Sequence, residues 1–233
     1  MSESVPVVLV PGLGGSARIW LPVVPALWAH GPVVLANHLR DDNIPAIAAR
    51  ILAEAPPRFA LAGHSLGGYI AFEIMRQASE RVARLALVNT QARPDNDEAL
   101  ARRRGMIERI EAGGFDAGVA ALYPGFVHPS RHDDAALRQL VTDLAYDVGP
   151  QAFVRQLRAI MARVDSRPTL ATITCPTLVL TSDTDNTLPK PLSEEIAAGI
   201  PGSRLVVLPD CGHLPMIERP EATAKVLAEW LAN

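Results

Sequence analysis

Six short runs of mostly apolar, often β-branched residues punctuate the chain: VPVVLV (5–10), PVVLA (32–36), RFALAG (58–63), VARLALVN (82–89), TLVLTS (177–182) and SRLVVLP (203–209). None alternates cleanly between apolar and polar positions. Near-continuous hydrophobicity is what a strand covered on both faces requires, whereas a strand with one wet face alternates. Between the runs lie segments with helical spacing of apolar positions: IPAIAARILAEA (44–55), LGGYIAFEIMRQAS (66–79), PLSEEIAAGI (191–200) and PEATAKVLAEWLA (220–232). Strand and helix in alternation predict an α/β fold, a mostly parallel sheet of about six strands flanked by helices.

One interval breaks this rhythm. From Arg93 to Leu170 no convincing strand occurs. The segment instead carries charged, alanine-rich helical stretches, DEALARRRGMIERIEAG, DDAALRQLVTDLAYDV and GPQAFVRQLRAIMARV, punctuated at Pro124-Gly125, Pro129 and Gly149-Pro150. A helical insertion between two core strands is expected to cover one edge of the sheet, where open α/β folds carry function. The expected organisation is therefore a core of residues 1–92 and 171–233 with a helical cap of residues 93–170.

Composition narrows the function classes. A chain of 233 residues with 48% hydrophobic content can build one sizeable core. Net charge is −3, and the cluster Arg102-Arg103-Arg104 reads first as a solvated helix face, so no nucleic-acid partner is expected. Pro6, Pro11 and Gly12 interrupt the first apolar stretch, which lacks a basic leader and reads as a strand and not as a signal peptide. No segment reaches the roughly 20 apolar residues of a membrane helix, so no membrane partner is expected and a cytoplasmic location follows. The two cysteines do not make a disulfide framework. Cys175 precedes one strand and Cys211 follows the next, which puts them about 20 Å apart at opposite sheet edges, as free thiols.

Candidate chemistry centres on Gly63-His64-Ser65-Leu66-Gly67, a G-x-S-x-G pattern. The pattern is weak alone, but here it follows an apolar run and opens a helical segment. That strand–turn–helix context is what a nucleophile elbow needs. Flanking glycines leave room around a serine in a strained turn, and the helix N-terminus favours negative charge developing beside it. A serine hydroxyl also needs a base. Of the six histidines, His30 and His38 fall in early loops, and His128 and His132 in the insertion. His64 is expected to support the turn, since neighbouring side chains diverge. His213, in Asp210-Cys211-Gly212-His213 after the last apolar run, emerges at the same carboxyl edge as Ser65 and is the candidate base. Asp183 and Asp185, after TLVLTS, both stand where the orienting carboxylate should be, and Asp210 reads as a turn residue. Oxyanion donors are expected from the backbone N–H of Leu66 and, within the glycine-rich turn Pro11–Gly15, of Leu13. A phosphate-binding loop is disfavoured there, because the spacing fits neither G-x-G-x-x-G nor a Lys-ended P-loop.

Gly-x-Ser-x-Gly, Asp and His in that order, with a glycine-rich turn after the first strand, resemble the α/β-hydrolase superfamily over essentially the whole chain, cap included. Members often read His-Gly-x-Gly at the oxyanion turn, where this chain has Pro11. They often show Gly-x-x-Asp followed four residues later by Pro. Ser182, Asp185 and Pro189 match that register with serine for glycine, so the resemblance prefers Asp185 to Asp183. Cys211-Gly212-His213 with Glu218 shortly after also looks like the family's histidine turn. The start directly at the oxyanion strand resembles the compact plant methyl-esterase and hydroxynitrile-lyase branch, without a leading β-hairpin.

The resemblance implies a serine esterase with catalytic Ser65, His213 and Asp185, no cofactor and no metal. Its partner would be a small-molecule acyl substrate, and the chain a monomer or homodimer. Lactone, thioester or C–C bond hydrolysis, lyase chemistry and cofactor-free peroxidation run on the same fold. Dehalogenase and epoxide hydrolase chemistry place an aspartate at the Ser65 position. A hydrolase-like binding protein without catalysis is the alternative of another class. Trp20, Tyr69, Tyr123, Phe126, Phe153, Met161 and Met216 are candidates for an apolar substrate pocket, against the plainer expectation that such residues are core.

Overall fold

The computed structural model describes residues 5–232. A six-stranded sheet carries β1 (Val7–Val10), β2 (Val33–Leu35), β3 (Phe59–His64), β4 (Val82–Val88), β5 (Thr177–Ser182) and β6 (Arg204–Leu208). The spatial order is β2-β1-β3-β4-β5-β6 and every pairing is parallel. Each strand lies within its apolar run, except that β3 extends one residue beyond it, to His64. The alternation that the runs hide from a one-face reading is present across two buried faces. Val8, Val10 and Leu61 face one apolar cluster, and Val7, Leu9, Ala60 and Ala62 face the other.

The helices are α1 (Val24–Trp28), α2 (Ile44–Glu54), α3 (Leu66–Ala78), α4 (Asp97–Glu111), α5 (Phe115–Phe126), α6 (Ala135–Met161), α7 (Arg167–Leu170), α8 (Lys190–Gly199), α9 (Pro215–Glu218) and α10 (Pro220–Ala232). Helices α2, α3 and α8 cover the first cluster, whereas α1 and α10 cover the second. Helix starts follow local chemistry. The side chains of Asn43, Asn96 and Asp134 accept the N–H groups of Ala46, Ala99 and Leu137, respectively.

Helices α4 to α7 fill the interval between β4 and β5. They build their own apolar centre from Ile110, Phe115, Val119, Val148, Phe153 and Leu157, and Leu13 of the loop after β1 packs against it. Helix α6 breaks where the sequence places Gly149-Pro150: Gly149 takes φ 75° and ψ 160°, outside the helical region. The connection after β1 runs to one side of the sheet and the connection after β2 returns to the other. The crevice beyond the carboxyl ends of β1 and β3 is therefore the topological switch point, where open α/β sheets bind ligands. Among the described residues, no helix is long and apolar enough to cross a membrane. Cys175 (half-buried) and Cys211 (buried) are free thiols.

Candidate active site

The turn between β3 and α3 holds Ser65 at φ 52° and ψ −114°, a conformation that costs an L-residue about 1–3 kcal/mol. Ser65 N–H donates to Val88 O at 2.9 Å, so the sheet ladder continues through the strained residue. The glycines around it are steric necessities. A Cβ at Gly67 would overlap the Val10 carbonyl of β1, and one at Gly63 would overlap the Gly67 carbonyl. The helix can therefore start hard against both strands only without those side chains.

His213 stands in the loop between β6 and α9 and is almost fully buried. Its Nδ1 meets Asp185 Oδ2 at 2.7 Å. The carboxylate is fixed from three more directions. Asn89 Nδ2 donates to Oδ2 at 2.9 Å, and the N–H groups of Thr187 and Leu188 each donate to Oδ1 at 2.8 Å. Burial opposes ionisation of Asp185, but His213 and these donors outweigh it and hold its pKa below the usual carboxylate range. With Nδ1 committed, Nε2 is the ring nitrogen left for chemistry. Ser65 and His213 line one cavity, together with Leu13, Tyr69, Phe126, Phe153 and Leu214.

The backbone around His213 is held just as closely. Its N–H donates to Phe126 O at 2.9 Å, and its ring stacks on Phe126 with centroids 5.7 Å apart. Glu218 accepts the N–H groups of Gly212 at 3.0 Å and Leu214 at 3.3 Å, and that of His128 at 2.8 Å. One carboxylate thus ties the histidine turn to the segment after α5. Burial raises the Glu218 pKa, with the three N–H donors acting against the rise.

The loop after β1 lies directly on the elbow: a Cβ at Gly12 would come within 3.1 Å of Ser65 Cβ and 2.9 Å of His64 Nδ1. Among the described residues neither Leu13 N–H nor Leu66 N–H has a protein acceptor. These two backbone donors are thus unspent beside Ser65. His64 Nε2–H donates to His213 O at 2.8 Å, linking the elbow to the histidine turn. Burial, and next the neighbouring His213, pull the His64 pKa down from 6.5 to about 3, so its ring is neutral.

Asp183 sits apart from this constellation. Its carboxylate accepts the N–H groups of Asp210 at 2.9 Å and Cys211 at 3.2 Å, which shapes the turn after β6.

Four of the sequence-predicted pocket residues do not line the cavity. Trp20 and Met216 are fully buried in the core cluster on the α1/α10 face. Tyr123 turns its hydroxyl to Arg131 O at 2.8 Å and Asp134 O at 3.2 Å, with the Arg138 guanidinium over its ring. Ile160 points into the cavity and Met161, one helical step of about 100° further, points elsewhere. Tyr69, Phe126 and Phe153 do line it, and cap residues Arg103, Val119, Leu122 and Val141 join them.

Sequence reasoning missed three further residues. Asn89, fully buried at φ 42°, braces Asp185 and also donates to Ser182 Oγ at 3.1 Å. Gln156 of α6 accepts Gly14 N–H on Oε1 at 3.0 Å and turns Nε2 to His38 Nε2 at 3.0 Å. His38 Nε2 also lies 3.1 Å from Gly12 O, and a neutral imidazole satisfies only one of these two contacts at a time. Burial lowers the His38 pKa to about 4 against the Gly12 contact. Helix α6 and the loop after β1 are thereby joined through side chains that lack any local sequence signature.

Comparisons with known proteins identify relatives of this chain. The model of the "Alpha/beta hydrolase family" matches residues 7–226. "Putative carbamate hydrolase RutD" of Azorhizobium caulinodans is 34% identical over 218 residues, covering 86% of this chain and 81% of that one. "Putative non-heme bromoperoxidase BpoC" of Mycobacterium tuberculosis is 28% identical over 256 residues, 98% of this chain and 94% of that one. Among solved structures, a thermophilic esterase from Thermogutta terrifontis, with malate bound, superposes with TM-score 0.88 at 29% identity. That match covers 98% of this chain and 89% of the esterase.

Proposed function

This chain belongs to the alpha/beta hydrolase family, and on that premise we propose that it is a serine hydrolase cleaving a carboxylic ester or related acyl bond of a small, largely apolar substrate. The buried His213–Asp185 pair at 2.7 Å carries this reading, because it leaves the imidazole one free nitrogen in the cavity that Ser65 shares. Ser65 Oγ attacks the carbonyl carbon while His213 Nε2 takes its proton. Asp185, kept ionised, holds the tautomer and stabilises the imidazolium. Leu13 and Leu66 N–H groups receive the oxyanion, each contributing roughly 3 kcal/mol to the barrier reduction. His213 then protonates the leaving alcohol, and a water deprotonated by the same ring releases the acyl group from Ser65.

Ser65→Ala should abolish turnover of p-nitrophenyl butanoate and labelling by a fluorophosphonate probe, with the unfolding transition unchanged. Retention of turnover in that variant would remove Ser65 from the mechanism. A binding protein without catalysis would leave the wild-type chain unlabelled. A carbamate is a second acyl class for the same groups. The 34% identity to the RutD protein supports including one in the substrate panel.

A further inference from the structure

A groove lined by Arg102, Arg103, Asn186 and Thr187 abuts the catalytic cavity, and Leu13, Arg103, Leu122 and Thr187 are walls of both. No acidic residue appears among the walls of either. Behind Arg103 lies Asp95, whose side chain is almost fully buried and shared by two guanidiniums: Arg103 Nε at 2.5 Å and Arg163 Nη2 at 2.7 Å. The Arg163 side chain is only 4% exposed, and all its nitrogens are committed. They reach Asp95 Oδ1, the Arg93 carbonyl and the Ile160 carbonyl, while the guanidinium lies 4.4 Å from the Tyr69 ring.

Arg103 differs. Nε and Nη2 face Asp95, but Nη1 has no protein acceptor among the described residues. Its side chain is 23% exposed where groove and cavity meet. Two guanidiniums against one carboxylate leave this wall with one net positive charge in partly dry surroundings, where an anion is attracted far more strongly than at an open surface.

We propose that Arg103 binds an anionic group of the substrate, so that the enzyme prefers an ester or lactone bearing a free carboxylate beyond an apolar spacer. The carboxylate accepts from Arg103 Nη1 while the scissile carbonyl lies at Ser65. This rests on the serine-hydrolase reading and adds the charge class of the acyl chain to it.

The test compares mono-p-nitrophenyl succinate, glutarate and adipate with p-nitrophenyl butanoate, pentanoate and hexanoate, after subtracting uncatalysed rates. At the best chain length the wild type should favour the charged ester at least tenfold in kcat/KM. Arg103→Gln should lose at least ten times more kcat/KM on that ester than on its neutral counterpart. Arg103→Lys should recover part of the loss. Arg163 remains to satisfy Asp95, so the fold should survive, and an unchanged unfolding midpoint verifies this. Equal losses on both esters, or a wild-type preference for the neutral series, overturn the inference while leaving hydrolysis intact. If no ester is cleaved, the mechanism fails separately. Calorimetric binding of the free dicarboxylates then decides: salt-sensitive binding lost in Arg103→Gln supports the anion site, and no binding in the wild type refutes it.

Discussion

Lowering the pH from about 7.5 to about 5 should destabilise this protein through two histidines that stay neutral in the folded state across that range. His38 and His64 are fully buried. Burial takes their pKa from 6.5 to about 4 and about 3, respectively. In the unfolded chain both take up a proton below about pH 6.5, whereas the folded chain takes up neither until far lower. Proton binding therefore favours the unfolded state across that window, and stability falls as pH falls. At about pH 5, roughly 1.5 pH units below the unfolded pKa, each residue costs ~2 kcal/mol at ~1.36 kcal/mol per unit, or ~4 kcal/mol together. Glu218 acts with the opposite sign, because its raised pKa lets the folded state bind a proton first. Urea unfolding at several pH values measures the slope directly. His38→Gln should remove about half of the histidine slope whatever its effect on stability at neutral pH. A wild-type ΔG that is flat from about pH 7.5 to about 5, or an unaltered slope in His38→Gln, would refute the account of these rings as buried and neutral.

Three further outcomes follow from contacts already described. Gln156→Leu removes the acceptor of Gly14 N–H and should cost about 1–3 kcal/mol of stability, with kcat falling more than KM because the Leu13 donor loses its bracing; steady-state kinetics checks the split. Asn89→Ala frees one side of Asp185 and removes a side chain suited to φ 42°, so calorimetry should show a lower midpoint and activity should fall. Burial pushes the Cys211 thiol up to about 12, so a thiol reagent should label Cys175 alone in the native protein and both cysteines in denaturant.

Much of the fold was legible because parallel strands buried on both faces leave continuous apolar runs, and TLVLTS coincides with β5 end for end. Helix α1 was not, because its five residues, with Pro22 shortly before them and Pro25 among them, carry no helical period. Ser65, His213 and Asp185 could be placed at one sheet edge because each follows a strand closely. The bracing residues could not. Gln156 meets Gly14 across 142 positions and His38 across 118, and nothing in ALRQLVTDL or FVRQLRAIM marks one glutamine as buried. The aromatic and methionine candidates divided on a matter that sequence does not encode, namely which way each side chain leaves its helix or loop. Trp20 lies edge-on to His64 with centroids 6.5 Å apart, close behind the site yet sealed from it.

The parallel ladder itself aligns the strand ends that carry Ser65, Asn89 and Asp185. At three successive strand ends, a backbone N–H beyond the strand donates to the next strand: Ser65 to Val88 O at 2.9 Å, Asn89 to Leu180 O at 2.9 Å, and Asp183 to Leu208 O at 3.0 Å. Ser65 and Asn89, adjacent across the register pair His64–Val88, both take positive φ. Each is strained by an amount that free turns would shed, at roughly 1–3 kcal/mol apiece. Neither can relax without breaking a hydrogen bond to a fully buried strand residue, Val88 or Leu180. The position of Ser65 and, through Asn89, the orientation of Asp185 are therefore set by the register of β3, β4 and β5. A change in the middle of those strands that shifts register should disable the site as surely as a change within it.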